Sequence, residues 1–110
     1  MNEKDIQEKA FEAIEIAKRS GKIKKGINEA TKAVEKGSAK LVAVAKDINP
    51  PEIILHIKPL CQEKGIIFVE VGSKEELGTA AGLSVPTSCV AIVQEGDGKD
   101  LLKKIEAALK

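Results

Sequence analysis

Leu41-Val42-Ala43-Val44-Ala45 is an unbroken apolar run that follows a glycine-containing turn. Five residues is strand length, and two valines suit a strand better than a helix. No polar residue alternates with the apolar ones, so the strand is expected to be covered on both faces. Two further runs have the same character, Ile66-Ile67-Phe68-Val69-Glu70-Val71 and Cys89-Val90-Ala91-Ile92-Val93. The short alternating stretch Lys22-Ile23-Lys24-Lys25 reads as an edge strand.

Helical patterns fill the intervals. Residues 3–19 repeat Ile6, Ala10, Ala13, Ile14 and Ala17 at helical spacing, with Phe11 and Ile16 at the margins. Glu3, Asp5 and Glu8 come early and Lys18 and Arg19 late, matching the helix dipole. Pro50-Pro51 opens another helix, with Pro51 near its first position. Ile53, Ile54, Ile57 and Leu60 mark its apolar face, Pro59 is expected to kink or split it, and Gly65 closes it. Ser73 stands three residues before Glu76, a capping signature for a short helix running to Ala81. Leu83 to Thr87 is a loop interrupted by Pro86. Gly96-Asp97-Gly98 turns into a last helix carrying Leu101, Leu102, Ile105, Ala108 and Leu109. Strands alternating with helices predict an α/β sandwich with helices on both faces, organised as one domain over residues 1–110.

The stretch immediately before the first buried strand carries the chemistry. Gly26-Ile27-Asn28-Glu29-Ala30-Thr31-Lys32-Ala33-Val34-Glu35-Lys36 reads as a helix opened by Gly26 and followed by Gly37. On a helical wheel Ile27, Ala30 and Val34 fall on one side, and Asn28, Glu29, Lys32 and Lys36 on the other. That polar side mixes an amide, a carboxylate and two ammonium groups. Lysines answer phosphate charge, while amides and carboxylates can read base edges. The competing reading is a solvated face on which Glu29 pairs with Lys32 or Lys36.

Composition narrows the field. Aromatic residues are 2% of the chain, with no Trp or Tyr. The core must be aliphatic, and base stacking on a sheet surface of the RRM type is disfavoured. The net charge is +1. Residues 16–40 nevertheless hold eight basic and two acidic side chains, a local +6. The rest holds ten basic and fifteen acidic ones, a balance of −5. A basic quarter on an acidic body fits a nucleic-acid footprint, and equally a chance cluster on a lysine-rich surface. Cys61 and Cys89 are too few and too far apart for a zinc motif or disulfide framework, and their apolar neighbours mark them as small buried thiols. The longest apolar runs fall far short of the roughly 20 residues that a bilayer requires, and no signal peptide is evident. A reduced, cytoplasmic setting is expected.

Enzyme signatures are scarce: the chain has no GxGxxG, P-loop, HExxH or GxSxG. His56, the one histidine, reads as a partly buried structural residue. Asp47 and Glu70 lie near the carboxyl ends of predicted strands, where open α/β sheets place ligands. A small metal-dependent enzyme using those two carboxylates is one alternative, and ordinary solvated acids the other. Leu83-Ser84-Val85-Pro86 is either an apolar lip for an unstacked base or a loop that tucks Leu83 into the core.

From Gly26 to Lys32 the sequence resembles the kink-turn RNA-binding family of the archaeal large-subunit ribosomal protein L-seven-Ae. The resemblance continues in the family's order and spacing through Asp47 to His56, Leu60 to Lys64, Ser73 to Gly78 and Ala81 to Pro86, essentially the whole chain. The Asn28-Glu29 pair with Lys32, together with the later Gly82-x-x-x-Pro86 loop, is its specific part. More distant ribosomal relatives with the same fold lack that pair.

The resemblance implies a three-layer α-β-α sandwich with a mixed central sheet. It implies an RNA target, two stems joined by an asymmetric bulge and tandem sheared G·A pairs, with no reaction and no cofactor. Asn28, Glu29 and Lys32 would meet the sheared guanines. Lys36, Lys22 and Lys25 would lie along phosphates, with Lys74 as a further contact. Leu83, Ser84 and Val85 would cover a flipped-out base, and Ile53 with the 47–49 turn would wall the pocket. Val85 stands where eukaryotic members tend to have arginine, which matches the archaeal pattern. The implied partners are ribosomal RNA and the large subunit, box C/D and H/ACA guide RNAs with their core proteins, and RNase P RNA. A protein-interaction module of the same fold is the remaining alternative. No membrane partner is expected, and nothing requires the free protein to be other than monomeric.

Overall fold

All five side chains of Leu41–Ala45 are buried, because this strand lies inside a sheet with helices against both faces. The computed structural model describes residues 2–47 and 52–109, with side chains at all of these except 3 and 52–55. The elements run α1 Glu3–Ser20, β1 Lys22–Lys25, α2 Ile27–Glu35, β2 Leu41–Ala45, α3 Glu52–Lys64, β3 Ile67–Val71, α4 Lys74–Ala80, β4 Cys89–Gln94 and α5 Lys99–Leu109. A short 3-10 turn, Gly96–Gly98, precedes α5. The sheet order is β1-β4-β2-β3. β2 and β3 are parallel, and β4 runs antiparallel to β2 and to β1, so the sheet is mixed.

Side-chain alternation along the strands divides the interior into two layers. Leu41, Ala43, Ala45, Val69, Val71, Val90 and Ile92 face α1, α4 and α5, which bring Ala10, Ile14, Leu77, Leu102 and Ile105. Val42, Val44, Cys89 and Ala91 face α2 and α3, which bring Ala30, Val34, Ile57 and Cys61. This is the three-layer sandwich. With so few aromatics, stability comes from aliphatic burial, about 1.5–3 kcal/mol for each fully buried Val, Leu or Ile.

Two expectations change and one narrows. β3 is a sheet edge rather than a strand covered throughout: among the described strands it pairs with β2 alone, and Ile67, Phe68 and Glu70 are half-buried. Pro59 does not split α3, which runs unbroken from Glu52 to Lys64. Pro59 is on the exposed side, so the bond its missing N–H forfeits is on the side that water can reach. His56 is exposed, because the neighbouring Ile57 occupies the inward position. Pro50, Pro51 and the side chains of Ile53 and Ile54 lie outside the described residues.

Strand direction places the candidate site. The carboxyl ends of β1, β2 and β3 and the amino end of β4 meet at one end of the sheet. Helices α2, α3 and α4 follow those three strands, and the 82–88 loop enters β4 at the same end.

Candidate nucleic-acid interface

Helix α2 begins at Gly26, whose φ of 90° and ψ of 157° define a conformation that L side chains rarely adopt. Its N–H donates to the Cys89 carbonyl at 2.8 Å, and its carbonyl accepts the Ala30 N–H at 3.0 Å. The start of the helix is thereby tied to β4 through backbone, and no side chain among the described residues caps its first turn. At the other end Gly37 adopts φ 70°, while Ser38 and Gly37 donate their N–H groups to the Ala33 and Val34 carbonyls, a Schellman ending. Ala30, Ala33 and Val34 are buried and Ile27 is half-buried. Asn28, Glu29, Lys32 and Lys36 are all exposed, as the wheel requires.

The polar face of α2 forms one wall of a concavity of about 380 Å³. Glu29, Lys32, Ala33 and Lys36 line it from the helix, Lys22 and Lys24 from β1, and Val93, Gln94 and Ser38 from β4 and the turn after α2. Four lysines and one carboxylate thus share one surface. Glu29 forms no ion pair or side-chain hydrogen bond with any described residue, so the Glu29–Lys32 or Glu29–Lys36 pairing of the solvated-face reading is not made. Lys24, Ser38 and Gln94 belong to this surface although the motif did not name them. Alternation along a strand puts Lys22 and Lys24 on one face and Lys25 on the other, and that period was the available signal for Lys24. Lys25 and Asn28 do not line the concavity, but both sit at the end of the sheet where α2 begins.

The second group of expected residues converges on α4. Ser73 caps that helix, its Oγ accepting the Glu75 and Glu76 N–H groups at 3.1 and 3.3 Å. Asp47 Oδ1 accepts the Lys74 N–H at 2.8 Å. The loop after α4 folds back along the helix: the Leu83 N–H reaches the Gly78 carbonyl at 2.8 Å, and the Thr87 N–H reaches the Lys74 carbonyl at 3.1 Å. The loop divides between core and solvent. Leu83 packs against the core, whereas Val85 is 60% exposed beside exposed Ser84. Lys74 is also exposed. Of the residues proposed to wall the pocket, the Ile53 side chain and residues 48–49 lie outside the described residues.

The carboxylates considered for a metal have other occupations. Asp47 holds the first N–H of α4, and Glu70 approaches Lys58 at 3.8 Å. The described residues contain no group of three or more His, Cys, Asp or Glu that could hold a metal ion. Cys61 and Cys89 are free, buried thiols in one apolar layer. Burial pushes the Cys61 thiol up to about 11 and, with Cys61 nearby, the Cys89 thiol up to about 12, so both stay protonated and unreactive near neutrality. No helix among the described residues is long and apolar enough to cross a membrane.

This architecture has known counterparts. A family model described as the ribosomal protein L7Ae/L30e/S12e/Gadd45 family matches residues 8–102. A 15.5kD RNA binding protein of Giardia lamblia has a solved structure that superimposes with a TM-score of 0.86. It is 33% identical over an alignment covering 94% of this chain and 87% of that one.

Proposed function

We propose that this chain, which belongs to the ribosomal protein L7Ae/L30e/S12e/Gadd45 family, is a non-enzymatic RNA-binding protein of the cytoplasm that captures kink-turns in ribosomal RNA. The observation that carries the reading is the placement of Glu29. It is exposed and without an ion-pair partner among the described residues, in a concavity otherwise charged only by lysines. A carboxylate there opposes phosphate binding. It becomes useful when the ligand offers N–H donors, as guanine edges do. Asn28, which both donates and accepts, and Lys32, which donates only, complete a set suited to sheared G·A pairs.

Lys22 and Lys36, with Lys25 and Lys74 at the sheet end, carry the phosphate contacts. Leu83, Ser84 and Val85 cover the base turned out of the bulge. An undistorted A-form duplex hides its major-groove edges from side chains, so a protein of this shape needs a distorted junction. Bending crowds phosphates, and a protein that binds only the bent form shifts the population toward it by its differential affinity. The same capture serves box C/D and H/ACA guide RNAs and RNase P RNA, on which the core proteins of those particles then assemble.

A mobility-shift assay tests the reading. A kink-turn RNA is expected to shift, and the same RNA with its G·A pairs replaced by Watson–Crick pairs to remain free. Equal binding to both leaves only a generic basic patch.

A further inference from the structure

The Val85 loop and the start of α2 are mounted on the same short segment. The Cys89 carbonyl accepts the Gly26 N–H at 2.8 Å and the Thr87 hydroxyl at 3.3 Å. Thr87 is 8% exposed, a buried polar residue at the loop's exit, and it also donates its N–H to the Lys74 carbonyl. At the other end of the loop Gly78 is buried. A methyl group there would run into the Val85 carbonyl oxygen and stand 3.2 Å from Pro86 Cα. Both obstacles are backbone, and neither can swing aside as a side chain would.

We propose that Gly78 and Thr87 are positioning residues for RNA recognition. Gly78 sets the depth at which the loop lies on α4, and hence the height of Val85. Thr87 ties the loop's exit to the carbonyl that also holds Gly26. The apolar lip and the Asn28–Glu29 edge therefore keep a fixed spacing, matched to the distance in the RNA between the turned-out base and the sheared pairs. The inference rests on the kink-turn reading above.

The test uses two RNAs, a kink-turn with its bulge intact and the same RNA made abasic at the turned-out nucleotide. Wild-type protein should prefer the intact RNA. Gly78→Ala should lose about tenfold in affinity for the intact RNA and little for the abasic one, erasing the preference. Thr87→Val, which keeps shape and removes the donor, should act in the same direction. Thr87→Ser, which keeps the hydroxyl, should restore the preference. Thermal melts report folding, and if Gly78→Ala does not fold, the Thr87 pair carries the test. Equal losses on both RNAs, no loss, or no wild-type preference overturns the positioning role and leaves the kink-turn reading standing. Failure of the wild type to bind either RNA overturns both.

Discussion

Helices α2 and α4 start at the same end of the sheet, and their first turns are finished in opposite ways. α4 is closed by its own surroundings, with Ser73 accepting two N–H groups and Asp47 a third. Among the described residues α2 has no side-chain cap, only a glycine in a conformation other residues avoid and one backbone bond to Cys89. A nine-residue helix would not persist alone. α2 persists because Ala30, Ala33 and Val34 are buried against the sheet. The contrast separates two uses of one motif. Satisfied helix ends serve stability, whereas the start of α2, beside Asn28, Glu29 and Lys32, keeps its first-turn N–H groups without a side-chain partner among the described residues.

Substitutions at the two helix starts sharpen this contrast or break it. Glu29→Ala should cost the most. A base-edge contact is worth about 1–3 kcal/mol, so affinity for the kink-turn should fall by one or two orders of magnitude with an unchanged melting temperature. Tighter binding, as simple charge attraction demands, would reduce α2 to a phosphate-binding face. Gly26→Ala comes next. Nothing stands within 4 Å of the added carbon, so its cost is purely conformational, about 1–3 kcal/mol of stability in chemical denaturation. Ser73→Ala should remove about 1 kcal/mol of stability and leave discrimination between kink-turn and paired RNA intact. Lost discrimination would mean that α4 also reads the RNA directly. Lys36→Ala should lower the slope of log affinity against log salt by about 1 while preserving selectivity, measured by titration at several salt concentrations. The smallest change belongs to the far edge of the sheet. Glu70→Gln breaks a long, part-exposed pair with Lys58 and should shift stability by less than about 1 kcal/mol, with RNA binding unaffected.

Much of this was legible locally. The apolar runs gave the strands, the 3.6-residue period gave the buried and exposed faces of α2, and Ser73 announced the cap of α4. Other features escaped for reasons of the same kind. β3 resembles β2 in composition, yet whether a strand is central or terminal depends on its neighbours in space, and among the described strands β3 has only β2. Asp47 looked like a candidate ligand because its acceptor role depends on Lys74, 27 residues away. Leu83 and Val85, two residues apart in one apolar loop, are equivalent by hydropathy. Only the path of the loop over Gly78 sends one toward the core and the other to solvent.

Chain chemistry alone fixed the α/β layering, the polar edge of α2 and the aliphatic nature of the interior, because each follows from periodicity and side-chain type within a few residues. Tertiary structure decided which lysines share a surface with Glu29, how the Val85 loop is braced, and that one carbonyl of β4 accepts from both Gly26 and Thr87. Those are relations between segments far apart in the chain, set by strand order and direction, and no local pattern of residues encodes them.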